Sequence, residues 1–309
     1  MEEVCRTPQP EWFSSNEIII DHPAFFLRKF SSGGKIAFII TPQAGHSGII
    51  SDFGEGQSLV RTLIGLGFSV YVMDWKSCTP TRKNEGIEDL VKQVLIASDE
   101  FKQKFTLIGL CQGGWLSAAF TSLFPEKIDH LIVAGAPINA KIGGGYLQEL
   151  VESCPQIYFE YLVTMGGGLM RGELMLTGWK MMNFADRVQD YTDLWCAVGT
   201  EKFDKIHHFR NWYECSYHLA GRYYLEAVDM IFRRNDLWEG RMKLLGRKVD
   251  LRNISCSITS IAGEKDDITL IPQALALPGK HIVIPEVGHI GIFMGRKSQE
   301  YWKQIFATS

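Results

Sequence analysis

The sequence predicts an α/β fold, a mostly parallel sheet with helices on both faces and a helical insertion late in the chain. Short apolar runs rich in β-branched residues alternate with amphipathic stretches through the first half, the pattern of strands buried on both faces and joined by helices. The alternation stops at Gly135 and resumes at Ser257. Between these points the chain is helical in character, aromatic and methionine-rich.

The elements follow in order. Residues 35–41 (KIAFIIT) and 68–74 (FSVYVMD) read as buried strands, and residues 56–66 (GQSLVRTLIGL) between them as a helix closed by Gly67. An amphipathic helix is expected over 86–101 and a strand over 105–108 (FTLI). A helix over 114–124, a turn over 125–127 and a strand over 128–134 (IDHLIVA) complete the series. Such a βαβ series implies a parallel sheet. The insertion spans about 138–246, punctuated by Gly143-Gly144-Gly145 and Gly166-Gly167-Gly168, with helices expected over 158–165, 174–184 and 222–233. Strands resume at 257–262 (SITSIA) and 281–284 (HIVI), and a helix over 297–306 ends the chain. The reading is one domain, 1–309, with the insertion placed above the strand ends, where such sheets bind ligands. Its methionines and aromatics are expected to pack its own core, the alternative being an adaptable apolar surface around a greasy substrate.

Composition excludes several classes. The chain has 309 residues, 46% of them apolar, and no run of apolar residues long enough for a membrane span. The start Met1-Glu2-Glu3-Val4-Cys5 lacks the basic and apolar regions of a secretory signal, so a cytoplasmic protein is expected. Acidic and basic residues, 35 against 32, are interspersed, so no basic stripe suggests nucleic acid. Arg233-Arg234 and Arg247-Lys248 read as solvated pairs. Seven irregularly spaced cysteines imply reduced thiols. His207, His208, Cys215 and His218 match metal-ligand spacing only loosely, so neither metal nor cofactor is expected.

The most informative stretch is Gly109-Leu110-Cys111-Gln112-Gly113. It lies between an expected strand and an expected helix, the setting of a nucleophile elbow, with cysteine where serine usually stands. A buried, inert thiol is the plain alternative. A cysteine nucleophile needs a base and a group that orients the base. Gly263-Glu264-Lys265-Asp266-Asp267 follows the SITSIA strand, and Val287-Gly288-His289-Ile290-Gly291 follows the HIVI strand. The order nucleophile, acid, histidine is that of the α/β-hydrolase arrangement. His289 would act as base to Cys111, and Asp266 would orient it. Asp267 is the competing acid, set second by its position after Gly263. The backbone N–H of Gln112 would be one oxyanion donor, and a second would come from Gln43 or Ala44 in the loop after KIAFIIT. His46 in that loop is either a substrate contact or a loop residue.

These motifs, with GEKDDI at 263–268, VGHIGIFMGR at 287–296 and the shorter stretches QSLVR, VMDW and RKVDL, resemble the polyhydroxyalkanoate synthase and intracellular polyhydroxybutyrate depolymerase superfamily. The resemblance runs from about Lys35 onward. It implies a cysteine-centred triad and acyl transfer through a thioester on Cys111. It also implies a 3-hydroxyacyl ester or thioester as substrate, or the polyhydroxyalkanoate polymer itself, with polymer-granule association as a further expectation. The C-terminal third leans to a depolymerase, an ester hydrolase, because synthases usually carry a histidine where Asp267 stands. The double glycine after Gln112 leans to a synthase or related 3-hydroxyacyl transferase. The expectation is the depolymerase type, with the transferase as alternative and an inactive granule-binding protein as a third reading.

Overall fold

The computed structural model describes residues 10–182 and 184–306. Eight strands form its main sheet: β1 (Glu17–Asp21), β2 (Phe25–Lys29), β3 (Ile36–Ile40), β4 (Ser69–Trp75), β5 (Phe105–Leu110), β6 (Ile128–Ala134), β7 (Ser257–Gly263) and β8 (Lys280–Ile284). Their spatial order is β1-β2-β4-β3-β5-β6-β7-β8. β1 pairs antiparallel with β2, and β2 with β4. All other pairings are parallel.

β3 is apolar throughout because both of its faces are covered. Phe38 and Ile40 of β3 pack in one cluster with Leu107 and Trp115, whereas Ala37 and Ile39 pack in another with Val70, Val72 and Ile108. Alternate residues of one strand thus enter opposite cores. Helices α1 (Leu59–Gly65), α2 (Ile87–Ser98) and α3 (Gln112–Leu123) join the early strands. α1 starts later than expected, because Asp52–Gly54 and Gln57–Ser58 pair as a short hairpin and Ser58 Oγ accepts the Arg61 N–H at 2.8 Å as an N-cap. The sequence reading missed β1 and β2. β1 lies at the sheet edge with none of its residues buried, so it lacks the apolar signature of a central strand.

Between β6 and β7 the chain makes a long helical excursion: α4 (Tyr146–Ser153), α5 (Gln156–Met165), α6 (Gly172–Met182), α7 (Phe184–Ala197), α8 (Lys202–Glu214) and α9 (Gly221–Glu226), the last continued by a π-helix over Ala227–Arg233. The helix expected over 174–184 crosses residue 183, which lies outside the described residues; α6 ends at Met182. α7 and α8 had no counterpart in the sequence reading. Arg233, expected as one of a solvated pair, is half-buried. It donates to the Val151 and Cys154 carbonyls and to Gln156 Oε1, closing the C-terminal end of α4.

After β7 come α10 (Ile271–Ala274), α11 (His289–Met294) and α12 (Arg296–Phe306). The described cysteines form no disulfide; Cys5 and the polar N-terminal stretch lie outside the described residues. No helix among the described residues is long and apolar enough to cross a membrane.

Candidate functional site

Cys111 stands between β5 and α3 with φ +50° and ψ −118°, a left-handed conformation that a side-chain-bearing residue rarely adopts. Two glycines make this turn feasible. A Cβ on Gly113 would lie 2.2 Å from the Ile40 carbonyl oxygen, and one on Gly109 would lie 2.4 Å from the Gly113 oxygen. Both contacts are with backbone, so neither can be relieved by moving a side chain. The Cys111 N–H donates to the Ala134 oxygen at 2.8 Å, holding the elbow to the end of β6. The thiol therefore sits at the carboxyl end of the parallel sheet, half-buried.

Asp266 and His289 arrive from the ends of the next two strands. Asp266 is buried, and its Oδ1 accepts the N–H groups of Ile268 at 3.0 Å and Thr269 at 2.9 Å. Its Oδ2 is left to face His289 Nδ1 at 2.8 Å. Asp267 is exposed and points the chain onward at the cavity rim, so the structure brings Asp266 rather than Asp267 to the histidine. Burial alone would push the His289 pKa down. The negative charges of Cys111 and Asp266, with side-chain hydrogen bonds to both, outweigh it and hold the pKa well above the usual histidine value.

Cys111 and His289 line a cavity of about 330 Å³, with the Asp266 side chain buried behind the imidazole. Gln112 opens α3, so its N–H is among the first-turn donors without a helical acceptor. Gln112 and Ala44 line the cavity beside Cys111, but Gln43 does not. The Gln43 carbonyl instead lies 3.3 Å from the Tyr223 hydroxyl. Of the residues expected to supply the second donor, Ala44 is the one the cavity reaches. His46 also lines it, its ring stacked against those of Trp212 and Tyr213, with Nε2 3.1 Å from the Tyr213 carbonyl. Burial pushes its pKa down to about 4, against the hydrogen bonds it makes, so it is neutral at pH 7 and its Nε2–H donates to that carbonyl.

The loosely spaced metal-type residues go elsewhere. His208 Nε2 meets the Phe53 carbonyl at 3.0 Å, and His218 Nδ1 accepts the Gly172 N–H at 3.1 Å. No group of three or more potential ligands converges among the described residues.

The sequence placed the excursion above the strand ends but did not single out the residues it contributes to the cavity. Leu147, Trp179, Trp212, Tyr213 and Phe232 all wall the cavity. Trp212 is also buried, with Nε1 donating to the Ser47 carbonyl at 3.3 Å. Packing and cavity lining are thus done by the same aromatics, and composition alone does not say which residues do both.

The sheet order, the strained turn and the placement of acid and histidine define an α/β-hydrolase-fold protein. Solved structures of that shape include a monoacylglycerol lipase from Paleococcus ferrophilus, 16% identical with a TM-score of 0.55 over 91% of this chain and 96% of that one. A bromoperoxidase from Bacillus anthracis is 15% identical with a TM-score of 0.57, over 96% of this chain and 100% of that one. The chain belongs to the family described as PHB de-polymerase C-terminus, whose model matches residues 135–306. Among curated proteins it is similar to the poly(3-hydroxyalkanoate) polymerase subunit PhaC of Synechocystis sp., 29% identical over 80% of this chain and 70% of the relative. The protein of the same name from Haloferax mediterranei is 26% identical over 98% of this chain, which spans 63% of that relative's length.

Proposed function

We propose that the protein is an acyltransferase that uses Cys111 to build a poly(3-hydroxyalkanoate) chain from 3-hydroxyacyl-coenzyme A, as a polymerase subunit. The acyl-enzyme part of this reading is carried by the cysteine at the elbow, which lines one cavity with His289, whose Nδ1 lies 2.8 Å from Asp266 Oδ2. A thiolate attacking a thioester exchanges one thioester for another with little change in free energy. Attack on an alkyl ester would instead create the less stable thioester from the more stable ester. A cysteine nucleophile serves both activities of the resembled superfamily, so the preference for a thioester donor over the ester hydrolysis expected from the C-terminal motifs rests on the names of the relatives, which are polymerase subunits.

In this mechanism Cys111 Sγ forms a bond to the acyl carbonyl carbon while the carbon–sulfur bond to coenzyme A breaks. The His289 imidazolium gives its proton to the departing thiolate. The backbone N–H groups of Gln112 and Ala44 are the donors for the transient oxyanion. A hydroxyl group of a second hydroxyacyl unit then attacks the Cys111 thioester, gives its proton to His289, and releases Cys111 as thiolate. Asp266 holds the imidazole in the tautomer that directs Nε2 to the sulfur.

The test is incubation of wild type and Cys111→Ala with 3-hydroxybutyryl-coenzyme A and, separately, amorphous polyhydroxybutyrate. Thiol release with polymer formation, lost in Cys111→Ala, is expected. Release of 3-hydroxybutyrate from the polymer, with the thioester untouched, would replace this reading by a hydrolase.

A further inference from the structure

Gln112, Leu147, Trp179, Met182 and Phe232 line the Cys111 cavity and also line a second one. This second chamber, about 460 Å³, lies among α4, α5, α6, α9 and the π-helix, and it is larger than the cavity of about 330 Å³ at the thiol. None of its described lining residues is charged, and Met170, Met175, Met181 and Met182 are among them. It reaches the surface, since the lining residues Tyr158 and Met181 are 46% and 68% exposed.

We propose that this chamber binds the aliphatic polyester chain carried by Cys111, a proposal that rests on the acyl-transfer reading of that thiol. An uncharged lining suits an ester chain and penalises a ligand that would bring phosphate or carboxylate out of water. Flexible thioethers fit an irregular apolar chain better than a rigid wall would. The two cavities adjoin across Gln112 and Trp179, so a chain anchored at Cys111 would enter the chamber past these residues. The opening at Tyr158 and Met181 leaves its length unbounded. Val151, Phe159 and Val228, which line the chamber, pack together as a buried cluster that backs one of its walls.

The chamber can be altered without disturbing the fold. Gly178 lines it, and a Cβ at that position meets nothing within 4 Å. Calorimetry on the Cys111→Ala protein, which cannot turn over, would compare the methyl esters of monomeric and tetrameric 3-hydroxybutyrate. The tetramer is expected to bind more tightly. Gly178→Leu fills space and Met181→Glu places a carboxylate at the exposed rim. Each is expected to weaken tetramer binding about tenfold, the scale of a small change in an apolar pocket. A tetramer that binds no better than the monomer, or equally well in both variants, overturns the chamber. Chamber-dependent tetramer binding in a protein whose wild type makes no polymer would leave the chamber standing and remove the transferase reading instead.

Discussion

The single hydroxyl proton of Tyr223 is shared between the side-chain oxygen of Gln112 and the main-chain carbonyl of Gln43, 3.3 Å away. A residue of the helical excursion thereby joins the elbow to the loop after β3. These are the segments that carry the proposed oxyanion donors, and Tyr223 itself is buried against Trp115.

Tyr223→Phe keeps the ring packing and removes the link. Stability is expected to fall by about 1 kcal/mol, the worth of one hydrogen bond. The kcat for thiol release is expected to fall about ten- to hundredfold through misplacement of the donors, with KM little changed. Parallel steady-state kinetics and urea unfolding read both effects. A kcat equal to wild type would show that the hydroxyl does not position the elbow.

Gly113→Ala forces a methyl group to within 2.2 Å of the Ile40 carbonyl. The backbone must shift, and urea unfolding is expected to show a loss of about 2 kcal/mol or more. Gly178→Ala is the control, because its Cβ meets nothing and alanine is the better helix former. It is expected to be neutral or to gain about 0.5 kcal/mol. Equal stability of the two variants would contradict the close approach at the elbow.

The acid is separable by mutation. Asp266→Asn keeps the shape but leaves His289 Nδ1 facing an amide in place of a carboxylate, and thiol release is expected to drop by about 10³-fold or more. Asp267→Asn alters an exposed residue at the rim and is expected to cost less than about tenfold. A reversed ranking would transfer the orienting role to Asp267.

The charge coupling at His289 has a pH signature. Its folded pKa is raised above the unfolded value of about 6.5. The group therefore contributes stability that is fully present below that pH and is lost as pH rises through the raised value. Burial, the largest influence, lowers the pKa; the Cys111 charge is the strongest of those that raise it. Cys111→Ala removes that charge, so the imidazole is expected to titrate at lower pH and the loss of stability to move down with it. Proton NMR of the His289 ring reads the midpoint directly, and a midpoint identical to wild type would mean that thiol and imidazole are not coupled.

Much of this site was legible in the sequence because its parts are local. A buried parallel strand announces itself by a run dominated by apolar residues, as in Phe105–Leu110, and the residues just beyond such runs lie at the sheet's carboxyl edge. Cys111, the acidic pair and His289 were found in this way, as was the α/β-hydrolase order. What followed from sequence was a set of positions along strands, each set by its own neighbours.

Only the tertiary structure decided which groups meet. Asp266 rather than Asp267 faces His289 because the N–H groups of Ile268 and Thr269 hold its other oxygen. Ala44 rather than Gln43 reaches the cavity, and Tyr223, more than a hundred residues from Gln112 in sequence, reaches the elbow. These relations depend on the packing of the excursion against the strand ends. Contacts between segments distant in sequence leave no period or spacing in the chain, so they appear only once it has folded.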